Sequence, residues 1–194
     1  MTRALYPVFL DLSGLPVVVV GGGPVAASKL DGLLAAGALV TVVAPELDPA
    51  IRAIRAGGDR SAPRLRVIVE RFRPAHLAGA RYVVSAAPPE VNRAVAQAAA
   101  ERGLFVNAVD DVAAATAILG GVVRRSDVTI AISTGGLAPA LAGLLREALD
   151  AVLPAELDRW IEVAAAARAD WKAAQVPMAE RRPLLLRALD RIYA

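Results

Sequence analysis

The apolar positions of this chain fall into short runs divided by glycine, proline and charge, and their spacing alternates between strand-like and helix-like. Val8-Phe9-Leu10 reads as a short apolar strand closed by a Ser13-Gly14 turn. Pro16-Val17-Val18-Val19-Val20 is β-branched without alternation, the pattern of a strand buried on both faces in a parallel sheet. It enters Gly21-Gly22-Gly23. Val25, Ala26, Leu30, Leu33 and Leu34 then recur at helical spacing as far as Gly37, a natural C-cap. A second apolar run, Leu39–Val43, is stopped by Ala44-Pro45. The result is a β-α-β unit of roughly 30 residues, the length such a unit needs.

The alternation continues with a helix over Leu47–Ala56, a polar loop over Gly57–Pro63 and a strand over Leu65–Val69. A strand over Arg81–Ser85, a helix over Glu90–Arg102 and a strand over Leu104–Val109 follow. Repeated strand–helix alternation predicts an α/β fold with a Rossmann-type doubly wound parallel sheet. After Asp111 the rhythm changes. Ile118–Val123 and Val128–Ile132 read as paired strands joined by the charged turn Arg124-Arg125-Ser126-Asp127. Ser133-Thr134-Gly135-Gly136 opens a helix over Pro139–Leu149, and beyond Pro154 the pattern is helical. Leu157, Trp160, Ile161, Ala164 and Trp171 share one face, and a last helix holds Leu184, Leu185, Leu189 and Ile192. These changes predict a Rossmann domain over 1–112, a segment over 113–150 and a small helical domain over 151–194.

Composition narrows the classes. Hydrophobic residues are 56% and charged residues 21% of 194, so a packed protein is expected rather than a disordered one. The pI is about 9.8, yet the net charge is only +3, too little for a dedicated nucleic-acid binder. Lysine is limited to Lys29 and Lys172 in an Arg- and Ala-rich chain, a coding bias that weakens arguments from any single surface Arg. Cysteine is absent, which excludes thiol nucleophiles, disulfides and thiolate metal sites. Leu12–Ser28 carries no charge, but Pro16, Pro24 and the glycines interrupt it, and Asp11 lies in what would be a signal-peptide core. No membrane segment is predicted, and a cytoplasmic protein is expected.

Gly21-Gly22-Gly23-Pro24-Val25-Ala26 matches G-x-G-x-x-A. The first glycine makes a tight turn, the second lets a pyrophosphate approach the backbone, and a small third residue lets the helix pack close. Helix N-terminal N–H groups then face the phosphates. The motif follows a buried strand and opens a helix, the context that raises its weight over a glycine turn that merely packs. The acidic residue expected after the second strand is displaced: Ala44 and Pro45 stand at the strand end and Glu46 is the nearest acid. Glu46 is a candidate for the ribose hydroxyls, the alternative being a helix-start carboxylate. No Arg follows directly to receive a 2′-phosphate, so NAD is favoured over NADP.

Further motifs extend the pattern. Tyr6-Pro7-Val8-Phe9-Leu10-Asp11-Leu12 leads to the triple glycine; Gly37-Ala38, Val40-Thr41-Val42-Val43-Ala44-Pro45-Glu46 and Asn107-Ala108-Val109-Asp110-Asp111 follow. Ile130-Ala131-Ile132-Ser133-Thr134-Gly135-Gly136, Ala138-Pro139-Ala140-Leu141-Ala142 and Leu145-Arg146-Glu147 complete the series. Over residues 5–150 the chain resembles the precorrin-2 dehydrogenase/sirohydrochlorin ferrochelatase family, which includes the N-terminal module of siroheme synthase. The resemblance implies NAD-dependent oxidation of precorrin-2 to sirohydrochlorin, with iron insertion in some members, by an intertwined homodimer with a dimerisation segment. It places the catalytic aspartate on Asp110. It implies cofactor contacts from Gly21, Gly22, Gly23, Pro24, Val25, Ala26, Ala44, Pro45, Glu46, Ala86 and Ala87, and substrate contacts near Ser133, Thr134 and Gly135.

The residues themselves allow this. Asp110 follows a strand, where ligands of open α/β sheets gather, and a carboxylate there can serve as general base. Otherwise Asp110 caps the next segment, a role that suits its neighbour Asp111 better. Ser133–Gly136 has the form of an anion-binding nest, or of a turn with Thr134 as N-cap. Arg124, Arg125 and Arg146 are candidates for the carboxylates of a tetrapyrrole substrate, or solvated surface. Two departures from the family stand out: Ala86-Ala87-Pro88-Pro89 replaces a Thr-Asp pair, and Ile118-Leu119-Gly120-Gly121 replaces an aromatic and proline. The first leaves cofactor contacts there to backbone groups. His76 is the only histidine and has no neighbouring ligand pattern, so no metal site is assigned. Two other classes stay open: a non-catalytic NAD sensor and a chelatase without redox activity.

Overall fold

Val17–Val20 is buried to the last residue, and the sheet is built around it. The computed structural model describes residues 4–56 and 64–193, so the expected 57–63 loop lies outside the described residues. β1 (Pro16–Val20), β2 (Leu39–Val43), β3 (Leu65–Ile68), β4 (Tyr82–Ser85) and β5 (Phe105–Ala108) pair in parallel in the order β3-β2-β1-β4-β5. Helices α1 (Pro24–Ala35), α2 (Pro49–Ala56) and α3 (Pro89–Ala100) connect them. This is the expected doubly wound sheet.

The unalternating valines have a direct explanation. Val17 and Val19 join Val40, Val42, Ala26, Leu30 and Ile51 in one core, on the α1 and α2 side. Val18 and Val20 join Val83, Val95, Ala99 and Leu77 in a second core, with α3 and the 3₁₀ turn Pro74–Leu77. Each fully buried valine contributes on the order of 1.5–3 kcal/mol, so both faces hold β1 in place. Strand order reverses between β1 and β4, and at such a switch point the carboxyl ends of the strands open a crevice.

The chain divides into two compact units, Met1–Leu119 and Gly120–Ala194. In the second, β6 (Gly121–Arg125) and β7 (Val128–Ile132) form an antiparallel ribbon. α4 (Pro139–Val152), α5 (Leu157–Ala173) and α6 (Met178–Asp190) follow. The expected strand over 118–123 begins only at Gly121, and Arg124 and Arg125 belong to the strand rather than the turn. The pairing of Arg125 with Val128 leaves Ser126-Asp127 as a two-residue loop, with Ser126 in the left-handed region at φ 52° that such loops use. Arg125 closes the C-terminus of α4, donating from Nε to Asp150 Oδ1 (2.9 Å) and from Nη2 to the Asp150 carbonyl (2.8 Å). Trp160 Nε1 donates to the Tyr193 hydroxyl at 2.7 Å, tying α5 to the turn after α6.

One expected element is absent. Val8-Phe9-Leu10 pairs with no strand and is 60%, 71% and 50% exposed. The sheet ends at β3 and β5, and neither edge takes this segment as a further strand, so local β-propensity alone does not place it.

Tyr82 lies inside the sheet, 4% exposed, and burial pushes its phenol up to about 12. The unfolded chain ionises it near 10, so its contribution is fully present below about pH 10 and is lost as pH rises through about 12. Urea midpoints measured from pH 9 to 12 should fall more steeply in the native protein than in Tyr82→Phe, a difference of about 2 kcal/mol. Parallel curves would remove Tyr82 from the alkaline transition.

Candidate dinucleotide site

At the carboxyl end of β1 the backbone has no room for side chains. Gly21 has φ 124°, and a Cβ there would lie 2.1 Å from the Ala86 carbonyl oxygen. A Cβ on Gly22 would lie 1.9 Å from the Glu46 carbonyl oxygen and 2.7 Å from the Ala44 Cβ. The two glycines therefore let β1 touch the ends of β4 and β2 at once. Backbone bonds lock the contact: Ala86 N–H donates to Val20 O (2.8 Å), Gly21 N–H to Val43 O (3.0 Å) and Asp48 N–H to Gly22 O (2.7 Å). Gly23 differs, because a Cβ there would meet nothing within 4 Å. It faces open space at the start of α1, whose N-terminus carries Pro24 in the first turn and no side-chain cap. Ala26, fully buried, lets α1 lie close on the sheet.

This is a cradle for a diphosphate: open room above Gly23, uncapped amides beyond it, and Val25 exposed at the rim. The residues present fit a dinucleotide. Ala44 is buried, while Pro45 and Glu46 are exposed beside the cradle. Glu46 does not start the next helix: α2 begins at Pro49 and Asp48 is its cap, Oδ1 accepting the Ala50 N–H at 2.8 Å. Leu47 and Asp48 precede the helix rather than belonging to it.

The buried polar side chains of the described residues gather where β4 and β5 end and α3 begins: Ser85, Asn92 and Asn107. Asn92, in the first turn of α3, accepts at Oδ1 from Ser85 Oγ (2.6 Å) and from Ala87 N–H (3.0 Å), and Nδ2 reaches Val109 O at 3.5 Å. Val109 N–H donates to Ser85 O at 2.8 Å. Asn107 Nδ2 donates to Ala117 O at 3.0 Å, holding the returning chain against β5. Asp110 follows directly, exposed and in the left-handed region at φ 59°, with no hydrogen bond or ion pair among the described residues. Asp111 caps the next turn, Oδ1 accepting the Ala114 N–H at 3.0 Å. Asp111 caps as the sequence led one to expect, whereas the contacts of Asn92 were not anticipated. A signal was there: Val95, Ala98 and Ala99 mark the buried face of α3, and an amide on that face needs partners.

In the second unit, Ser133–Gly136 forms a turn with Gly135 at φ 65° and Gly136 at φ 82°. Thr134 O accepts the Leu137 N–H at 3.1 Å, Ser133 Oγ the Gly135 N–H at 3.1 Å, and Thr134 Oγ1 the Ala138 N–H at 3.2 Å. Ala138, not Thr134, is the N-cap residue of α4. The amides of Gly135, Leu137 and Ala138 are thus used locally, while both hydroxyls, having accepted, keep an O–H to donate. Arg146 of α4 lies over Gly121, which pairs with Ile132 where the turn begins, and its Nη2 donates to Glu147 at 3.1 Å. Arg124, paired with Thr129, is exposed three residues further along the ribbon. Arg125 is committed to α4, as described above.

His76 sits on the 3₁₀ turn, Nδ1 accepting the Arg73 N–H at 3.1 Å beside Phe72. Among the described residues no group of three His, Cys, Asp or Glu gathers as metal ligands, and no helix is long and apolar enough to cross a membrane.

A parallel sheet in this order, with a glycine cradle and an uncapped helix at its switch point, defines a dinucleotide-binding protein of Rossmann type. The profile of the family described as "Putative NAD(P)-binding" matches residues 8–121, and the chain belongs to that family. "Siroheme synthase 2" of Aeromonas hydrophila is 42% identical over 94% of this chain and 37% of its own length. "Siroheme synthase" of Sodalis glossinidius is 39% identical over 97% of this chain and 39% of its own. The chain thus spans well under half the length of these curated relatives. A solved structure of "SirC, precorrin-2 dehydrogenase" superimposes with a TM-score of 0.73 at 27% identity, over 94% of this chain and 88% of that one.

The cradle separates its glycines by cost. Gly22→Ala must displace backbone and should destabilise the protein by about 2 kcal/mol or more. Gly23→Ala, at φ −84° with free space, should change stability by less than about 1 kcal/mol. Urea denaturation checks both; equal losses would contradict the geometry.

Proposed function

We propose that this chain is an NAD-dependent dehydrogenase that oxidises precorrin-2 to sirohydrochlorin in the cytoplasm, as a step of siroheme formation. The observation that carries the reading is the likeness to precorrin-2 dehydrogenase over nearly the whole of both chains. The glycine cradle and the bare carboxylate of Asp110, both at carboxyl ends of the same sheet, supply the chemistry it needs. In the reaction the tetrapyrrole loses a hydride and a proton, and NAD⁺, when bound, takes the hydride. Gly21, Gly22, Gly23, Pro24, Val25 and Ala26 would hold the diphosphate, with Ala44 and Pro45 beside them, and Glu46, exposed at the rim, would take the ribose hydroxyls. Ala86 and Ala87 border the cradle through backbone groups. Asp110, without a competing partner, takes the proton.

In the second unit, the hydroxyls of Ser133 and Thr134, the Gly135-Gly136 turn, and the guanidinium groups of Arg124 and Arg146 suit carboxylates of a polyanionic substrate. The functional division we assign is 1–112 for the dinucleotide, 113–150 for dimerisation and substrate, and 151–194 for the helical end. A homodimer accounts for apolar surface left bare. Leu141, Leu144 and Leu145 on α4 are 48%, 64% and 42% exposed, and Tyr6 and Phe9 are more exposed still. Sedimentation at micromolar concentration should give twice the chain mass, and a monomer would count against this assignment.

The decisive measurement is NADH formation from precorrin-2 under anaerobic conditions. Asp110→Asn should bind NAD as the native protein does and lose about 100-fold or more in turnover. Gly23→Ala should fail differently, losing tenfold or more in NAD affinity because its methyl fills the room over the helix. Binding of NAD without turnover in the native protein would favour the sensor reading. Metal insertion into sirohydrochlorin without any NAD dependence would favour a chelatase.

A further inference from the structure

We infer that Asn92 is a positioning residue that holds the cofactor edge and the proton-accepting edge of the site in one register. The inference rests on the dehydrogenase reading above. Asn92 is 4% exposed on the face of α3 that otherwise packs Val95, Ala98 and Ala99. An amide buried there costs stability unless every polar atom is paired, and an apolar residue would serve packing alone better. Its pairing adds directional bonds between α3, the end of β4 and the peptide after β5. Oδ1 receives Ser85 Oγ from β4 and the N–H of Ala87 from the loop bordering the cradle, at 2.6 and 3.0 Å. Nδ2 turns the other way, to the Val109 carbonyl at 3.5 Å, on the peptide that leads into Asp110.

That peptide is held from both sides. Val109 N–H donates to Ser85 O, and Asp111 is engaged in its own turn, so Asp110 is fixed in its left-handed conformation between two anchored neighbours. Aspartate tolerates the left-handed region at a modest cost, and the anchored neighbours on both sides hold it there. On the other arm, Ala86 O is the atom that Gly21 approaches, and Ala87 follows it directly. One carboxamide thus sets the distance between the edge that borders the dinucleotide and the edge that carries the carboxylate. A hydride and a proton leave the same substrate, so their acceptors must be aligned together.

Asn92→Leu removes both arms and should weaken NAD binding at least threefold and lower kcat at least tenfold. Asn92→Asp keeps Oδ1 for Ser85 and Ala87 but sets an oxygen against the Val109 carbonyl. It should hold NAD affinity within about threefold, by calorimetry, while kcat falls tenfold. Its kcat should recover at lower pH, where a protonated carboxyl again donates to Val109; a brace for folding alone gives no such pH-dependent rescue. If Asn92→Leu does not fold, Asn92→Asp decides. Variants that melt lower yet match the native protein in NAD affinity, KM and kcat overturn the inference, as does failure of Asn92→Asp to fold at any pH. Absence of NAD binding and turnover in the native protein would overturn the dehydrogenase reading instead, so the two failures are distinct.

Discussion

The fold and the site depend on one close approach, where the end of β1 meets the ends of β2 and β4 through bare backbone. Gly21 against Ala86 and Gly22 against Glu46 leave no volume for a methyl group. That contact is possible only because the valines of β1 are gripped on both faces, by α1 and α2 on one side and α3 on the other. Burial supplies the rigidity, and the glycines convert it into a turn tight enough to leave the start of α1 open. The same strand therefore anchors the core and delivers the ligand-binding backbone.

Polar bonding complements this apolar frame on the far side of the switch point. Ser85 and Asn107 are buried at the ends of β4 and β5 and Asn92 at the start of α3, and each is paired with groups on a neighbouring segment. Apolar contacts resist separation but discriminate little against small slides. Directional bonds at 2.6–3.0 Å discriminate strongly, and the geometry of the site is set where they are concentrated. Asp110 is itself outside this network, exposed and without a side-chain bond among the described residues. The sheet's hydrophobic middle and its polar rim thus divide the work between stability and alignment.

The parallel sheet was legible because β1 and β2 are apolar on both faces, and the glycine loop because its residue types allow few conformations. Gly37 was legible as a helix stop for the same reason, and takes φ 78°. Reading failed where local pattern competes with partners. Val8-Phe9-Leu10 has strand propensity and no strand beside it. The run over 118–123 is apolar throughout, yet pairing starts only at Gly121, where β7 offers partners. Glu46 and Asp48 are both acids near a helix start, and only the path of the chain over Gly22 decides which one caps.

By itself the sequence determined the order of elements, the both-faces burial of β1, the glycine turn and the position of Asp110 after β5. These follow from residue volume, branching and backbone freedom, which act over a few neighbours. The tertiary structure decided which glycines are sterically obligatory, that Arg125 serves α4, and that Asn92 joins Ala87 to Val109. Each of these depends on groups distant in the chain meeting at hydrogen-bond or van der Waals range, and no local pattern encodes such a distance.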